Sequence, residues 1–189
     1  MNGQVKFPRG QGRPISTKRA KVDQVRWKND PKNKKYPAGT FSVPMEYLTR
    51  FISNPECAGI KFCNGLNDKG KYSPAMCAIT EDGEILSAFD SKGVISVEEF
   101  ETCRTNWERE FPVIEDNTQF FYLGSEAIGQ NIADFDVERY EAAFIEYSNG
   151  SNNAVLFGYT LEGMKDPGED EPDTALNRSF ICPPICPEL

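Results

Sequence analysis

Ile15-Ser-Thr-Lys-Arg-Ala-Lys-Val-Asp-Gln-Val-Arg-Trp27 and Ile95-Ser-Val-Glu-Glu-Phe-Glu-Thr-Cys-Arg-Thr-Asn-Trp107 are two versions of one segment. Each opens on Ile-Ser and closes on Trp. The likeness runs on at a shift of about 80 residues: Asp30 meets Glu110, Phe62 falls near Phe144, Thr80 meets Thr160 and Gly83 meets Gly163. Self-similarity at a fixed spacing marks a duplicated structural unit. Residues 15–94 therefore read as a first, basic unit and residues 95–165 as a second, acidic one.

The second copy carries the cleaner helix signal. Ser96 is the N-cap, Glu98 and Glu99 complement the helix dipole in the first turn, and Phe100, Cys103, Trp107 and Phe111 recur at helical spacing. In the first copy Ser16 is again the cap, with Ala20, Val22, Val25 and Trp27 as the apolar residues, but Lys18, Arg19 and Lys21 stand where the second copy has acids. Each cation near a helix N-terminus opposes the dipole by about 0.3 kcal/mol or more, a cost that an anionic partner relieves.

A second helix is expected in each copy, from Ser42 to about Ile52 with Met45, Leu48, Phe51 and Ile52 inward, and from Ser125 to about Ala133 with Ile128 and Ile132 inward. Each leads into a hairpin: residues 59–64 with 75–80 around the turn-rich 67–71, and 142–147 with 154–160 around 148–153. Residues 84–89 read as a third strand of the first copy. The predicted fold is α+β, two tandem related helix-helix-β-hairpin units packing on antiparallel sheet. Flanking them, residues 1–14, rich in Gly and Pro, read as a flexible basic leader, and 166–189 as an acidic, Pro-rich tail ending Cys182-Pro-Pro-Ile-Cys186.

With 189 residues, 39% of them hydrophobic and thirteen of them Phe, the chain has enough apolar surface for a real core. It has no N-terminal apolar segment of the secretory kind and no apolar run near 18 residues, so a soluble cytoplasmic protein without a membrane partner is expected. On that reading the sequons at Asn149 and Asn177 carry no sugar. The net charge of −8 is unevenly spread: residues 1–40 hold eleven Lys or Arg against only Asp23 and Asp30. A basic end suits an anionic partner, whereas the acidic remainder repels phosphate.

The helix opening Ile95-Ser-Val-Glu-Glu, the aromatic pair Phe120-Phe121, the hairpin ending in Glu162-Gly163 and the terminal Cys182-Pro-Pro-Ile-Cys186 resemble an uncharacterised family of small bacterial proteins that end in Cys-Pro-Pro-x-Cys. Asn54-Pro-Glu-Cys-Ala-Gly-Ile-Lys-Phe62 resembles the helix-to-strand junction of that family. The resemblance covers most of the chain and implies the fold unit, here in tandem, but no activity. No Cys-Pro-Pro-x-Cys follows the first copy.

The chain contains no histidine, which removes Ser-His-Asp and Cys-His catalysis and the usual nitrogen ligand for metals. Phosphate-binding and dinucleotide fingerprints are missing, since Gly10-Gln-Gly12 lacks the remaining spacing. Asp134-x-Asp136-x-Glu138 opens like a calcium loop, but Arg139 stands where glycine is needed and Ile145 where the bidentate acid belongs. Trp27 and Trp107 read as core anchors, and Phe120, Phe121 and Tyr122 as a buried linker into the second helix or an interface patch.

Cys57, Cys63, Cys77 and Cys103 fall at core positions and read as small buried hydrophobes. Cys182 and Cys186 differ, because they bracket two prolines in a polar tail. They are the candidates for zinc or redox chemistry, although three intervening residues make a looser ligand spacing than the usual knuckle.

The reading that results is a non-enzymatic protein-protein interaction module, an adaptor, inhibitor or immunity-like factor that requires no cofactor. Its partner surfaces are expected at Lys18, Arg19, Lys32, Lys34 and Lys35 on one side and at Glu98, Glu99, Glu101 and Asp170 on the other. The alternatives are a zinc-binding or redox-responsive protein acting through Cys182 and Cys186, and RNA binding through the basic N-terminal region. Against the last stands the overall negative charge.

Overall fold

The computed structural model describes residues 6–36, 39–112, 120–146, 148, 152–160, 175–177 and 180–182. In chain order the first half contains β1 (Arg13–Ile15), α1 (Thr17–Asn29), a 3-10 turn (Pro31–Asn33), β2 (Phe41–Val43), α2 (Met45–Ile52), β3 (Gly59–Cys63), β4 (Ala75–Ile79) and β5 (Ile85–Phe89). The second contains β6 (Val94–Ile95), α3 (Val97–Glu110), β7 (Phe120–Gly124), α4 (Ser125–Phe135), β8 (Arg139–Glu146), β9 (Asn152–Tyr159), β10 (Ala175–Asn177) and β11 (Phe180–Cys182). The fold is α+β, with antiparallel sheets.

The strands are shared between the halves. One sheet runs β1-β10-β9-β8-β2 and the other β11-β7-β3-β4-β5-β6. Leaving β11 aside, the two orders are the same order with the halves exchanged. Three strands of one half form a meander, and two strands of the other half, those flanking its first helix, close both edges. Neither half makes a sheet of its own.

Register makes the repeat exact where sequence alone is ambiguous. Ile15 pairs with Ala175, as Ile95 pairs with Ala88. Phe62 pairs with Phe121 and Met76, and Ala142 pairs with Phe41 and Leu156. The counterpart of Phe62 is therefore Ala142 and not Phe144, the nearest aromatic in sequence. A shift of 80 residues holds through the helices and the hairpins.

The layers follow from strand alternation. Ile60, Phe62, Met76 and Phe121 of one sheet and Tyr140, Ala142, Phe144 and Leu156 of the other meet in a central core, with Leu48 of α2 and Ile128 of α4. On the outer face of the β8 sheet Ala20 of α1 covers Ala143, Val155 and Phe157. On the outer face of the β3 sheet Phe100 of α3 covers Cys63, Cys77 and Tyr122. Bulk is traded between helix and sheet: small Ala20 faces large Phe157 in one layer, and large Phe100 faces small Cys77 in the other.

Four expectations change. Phe41–Val43 is a strand and the second helix starts only at Met45, because Pro44 disfavours helical backbone at the residue before it. Phe120, Phe121 and Tyr122 are a buried strand bonded on both sides, to β3 and β11, and not a linker or an exposed patch. Within the tail, β10 completes one sheet and β11 extends the other.

The fourth concerns the leader, whose residues 6–12 are strapped to the body. Phe7 is buried and packs edge-on against Tyr122 at 4.9 Å. The amides of Phe7 and Gly124 donate to the carbonyls of Glu81 (2.9 Å) and Gln11 (2.7 Å), and the Tyr122 hydroxyl donates to the carbonyl of Pro8 (3.1 Å). A side chain at Gly124 would collide with the Arg9 carbonyl at 1.9 Å, so the strap needs glycine there.

Candidate functional site

The solvent faces of α1 and α3 are built alike and charged oppositely. Ser16 caps α1, its hydroxyl accepting from the Arg19 amide at 3.4 Å, and Ser96 caps α3, accepting from Glu99 at 3.0 Å. Register then aligns Lys18 with Glu98, Arg19 with Glu99, Lys21 with Glu101 and Lys28 with Glu108. Lys18, Arg19, Glu98 and Glu99 are exposed. Asp23, the only acid within α1, is buried and tied to Arg26 at 2.5 Å, so it does not dilute the basic face.

Because α1 covers one sheet and α3 the other, the two charged faces look away from each other. The basic turn is the exception. Lys32 lies 3.5 Å from the Asp30 carboxylate, Lys34 and Lys35 are exposed, and Lys35 stands over the Tyr36 ring at 5.0 Å. That ring packs near Trp107 (6.2 Å) and Phe111 (5.4 Å), which brings the turn against the last part of α3. Glu101 is half-buried and bonded to Arg104 at 2.7 Å, and Arg104 also binds Glu108. Glu101 thus serves an ion-pair network along α3 as well as its acidic face. Asp170 and Cys186 lie outside the described residues.

Cys57, Cys63, Cys77 and Cys103 are free thiols, the first three buried and the last half-buried. Burial pushes the thiols of Cys57, Cys77 and Cys103 up, so they hold their protons. Cys182 stands opposite Phe120, which stands opposite Cys63, so the tail cysteine and the core cysteine share one row across three strands. Two strand spacings separate their backbones, roughly 10 Å, too far for a direct disulfide. Among the described residues no group of three or more His, Cys, Asp or Glu is arranged to hold a metal ion. Asp136, the middle acid of the calcium-like run, instead ends α4 in the left-handed conformation, with φ 51°.

Sequence reasoning missed Lys61. It was hidden by alternation: with Ile60 and Phe62 inward, Lys61 takes the other face, which reads as solvent but is covered by α3 and Phe7. Its side chain is only 4% exposed, and its ammonium stands 4.5 Å from the Phe7 ring centre and 5.0 Å from that of Phe120. Burial lowers its pKa, with the neighbouring Cys77 and Cys63 pulling the other way. The counterpart on β8 is Glu141, which accepts from the Tyr159 hydroxyl at 2.7 Å and lies 3.5 Å from Arg139.

Comparison with protein families, curated proteins and solved structures finds no match. The site is therefore read from its own chemistry. No helix among the described residues is long and apolar enough to cross a membrane.

Proposed function

We propose that the protein is a non-enzymatic protein-protein interaction module, an adaptor, inhibitor or immunity-like factor, whose two outer helices choose partners by opposite charge. The observation that carries this reading is the position-by-position inversion between Lys18, Arg19 and Lys21 on α1 and Glu98, Glu99 and Glu101 on α3. Equivalent places in a duplicated fold meet the same folding demands. A full reversal of charge there is a property of the surfaces, and complementary potentials govern encounter rate and partner choice.

The test is charge reversal. Lys18→Glu with Lys34→Glu is expected to weaken native associations measured by sedimentation at low salt, while the thermal midpoint stays close to that of wild type. Associations unchanged by both substitutions contradict the reading. A second reading is zinc or redox chemistry at Cys182 and Cys186, which bracket two prolines in the tail. Replacing both by Ser would then release a bound zinc or abolish a mass loss of about two daltons reversed by reductant, the two hydrogens lost on disulfide formation.

A further inference from the structure

The outer face of α1 departs from its counterpart in apolar content as well as charge. Val22 and Val25 are each 55% exposed and sit one helical turn apart, with Lys18, Lys21 and Lys28 around them. Their counterparts on α3 are Thr102 and Thr105, also exposed. Valine and threonine have nearly the same shape, so the fold accepts a hydroxyl at these two places and α1 forgoes it. An apolar centre inside a charged rim is the anatomy of a binding surface.

Only two other large apolar side chains are strongly exposed among the described residues, Val94 and Val97; Val97 opens α3 beside Glu98, whereas Val94 pairs with Phe89 of the central core and so takes the other face of the sheet. The molecule thus presents a valine pair ringed by lysines on α1 and a single valine beside glutamates on α3. They lie on opposite outer layers, so one copy cannot bring them together.

Building on the charge-recognition reading above, we infer that the α1 face of one copy of this chain docks on the α3 face of a second copy. Lys18, Lys21 and Lys28 meet the acidic residues Glu98, Glu99 and Glu101, and Val22 and Val25 meet Val97. The contact joins different surfaces of two identical chains, so each added copy leaves a free α1 face at one end and a free α3 face at the other. Such head-to-tail contacts build rings or open chains and do not stop at a dimer unless the rotation closes.

Sedimentation velocity of the full chain across a concentration series tests this. At low salt the weight-average mass is expected to rise past that of a dimer, and high salt is expected to return it to a monomer. Lys18→Glu with Lys21→Glu, and separately Glu98→Lys with Glu99→Lys, should each weaken self-association about tenfold, a change of about 1.4 kcal/mol. An equimolar mixture of the two variants should associate again, because each supplies the face the other has lost. Val22→Thr with Val25→Thr should weaken association with no change in charge. A monomer at every concentration in low salt, or oligomers indifferent to both reversals, overturns the inference. If the chain is monomeric while Lys18→Glu with Lys34→Glu still abolishes binding to another protein, the self-docking is wrong and the interaction-module reading stands.

Discussion

Lys61 of β3 and Glu141 of β8 occupy the same place in the two sheets: Lys61 pairs with Cys77 and Tyr122, Glu141 with Phe157 and Ser42. The lysine lies beneath the acidic helix α3 and the glutamate beneath the basic helix α1. Each sheet thus carries, on the face its helix covers, the sign of charge opposite to that helix. Lys61 is buried and Glu141 half-buried, and a buried charge does little for stability. The duplication could place either helix on either sheet, and this pairing favours the arrangement observed.

Lys61 gives a signed pH dependence. Its pKa is lowered in the folded state, so between the folded value and 10.5 the unfolded chain binds the extra proton, and stability rises with pH. Lys61→Met removes the buried ammonium and keeps most of the volume. The variant should be at least as stable as wild type at neutral pH, with its margin shrinking as the pH climbs toward 10.5. Cys63 and Cys77 beside it, and Glu101 and Arg104 on α3, are common to both proteins, but the Lys61 charge pulls the Cys77 thiol down. The difference in denaturation free energy therefore reads Lys61 together with its effect on Cys77, and both shrink the margin at high pH. A margin that stays flat or widens with pH contradicts its lowered pKa.

The exchange of bulk between layers predicts a rescue. Phe100→Ala alone should cost about 3–5 kcal/mol through lost burial and the cavity left under α3. Cys77→Phe alone should overpack the same layer, at about 1–3 kcal/mol. Together they recreate the Ala20 and Phe157 arrangement of the other layer, and their combined cost should fall below the sum of the two. Chemical denaturation of the four proteins measures the coupling; strict additivity would show that the two side chains do not share one space.

The strap at residues 6–12 is held partly by one hydroxyl. Tyr122→Phe deletes the bond to the Pro8 carbonyl and should cost about 1 kcal/mol. Amide exchange at Phe7 and Gly124, whose bonds fasten the strap, should quicken more than exchange at Ile60 in the central core. Uniform acceleration at all three would mean that the hydroxyl supports the whole fold and not the strap.

What was legible in the sequence was local chemistry repeated twice. Ser16 and Ser96 announce their helices because a cap acts within three residues, and the hairpins of β3 with β4 and β8 with β9 announce themselves through apolar runs around turn residues. Phe41–Val43 and Phe120–Gly124 did not, because their partners lie about 100 and 60 residues away in the other half. A three-residue strand is too short to show alternation, and one buried on both faces has no polar side to alternate with. Lys61 was missed because β3 does alternate, and the face that reads as solvent is covered by α3 and Phe7, both distant in sequence. The charged surfaces were legible as residue types, but their separation onto opposite layers depends on the exchange of strands.

Through that exchange α1 rests on strands of the second half and α3 on strands of the first. Its most direct test is to produce residues 1–93 and 94–189 as separate polypeptides and record amide exchange for each alone and for their mixture. Neither half is expected to be a folded monomer, and mixing should yield a one-to-one complex with slow exchange in β3, β4, β8 and β9. A half that is monomeric and protects its own hairpin without its partner would contradict the exchange of strands.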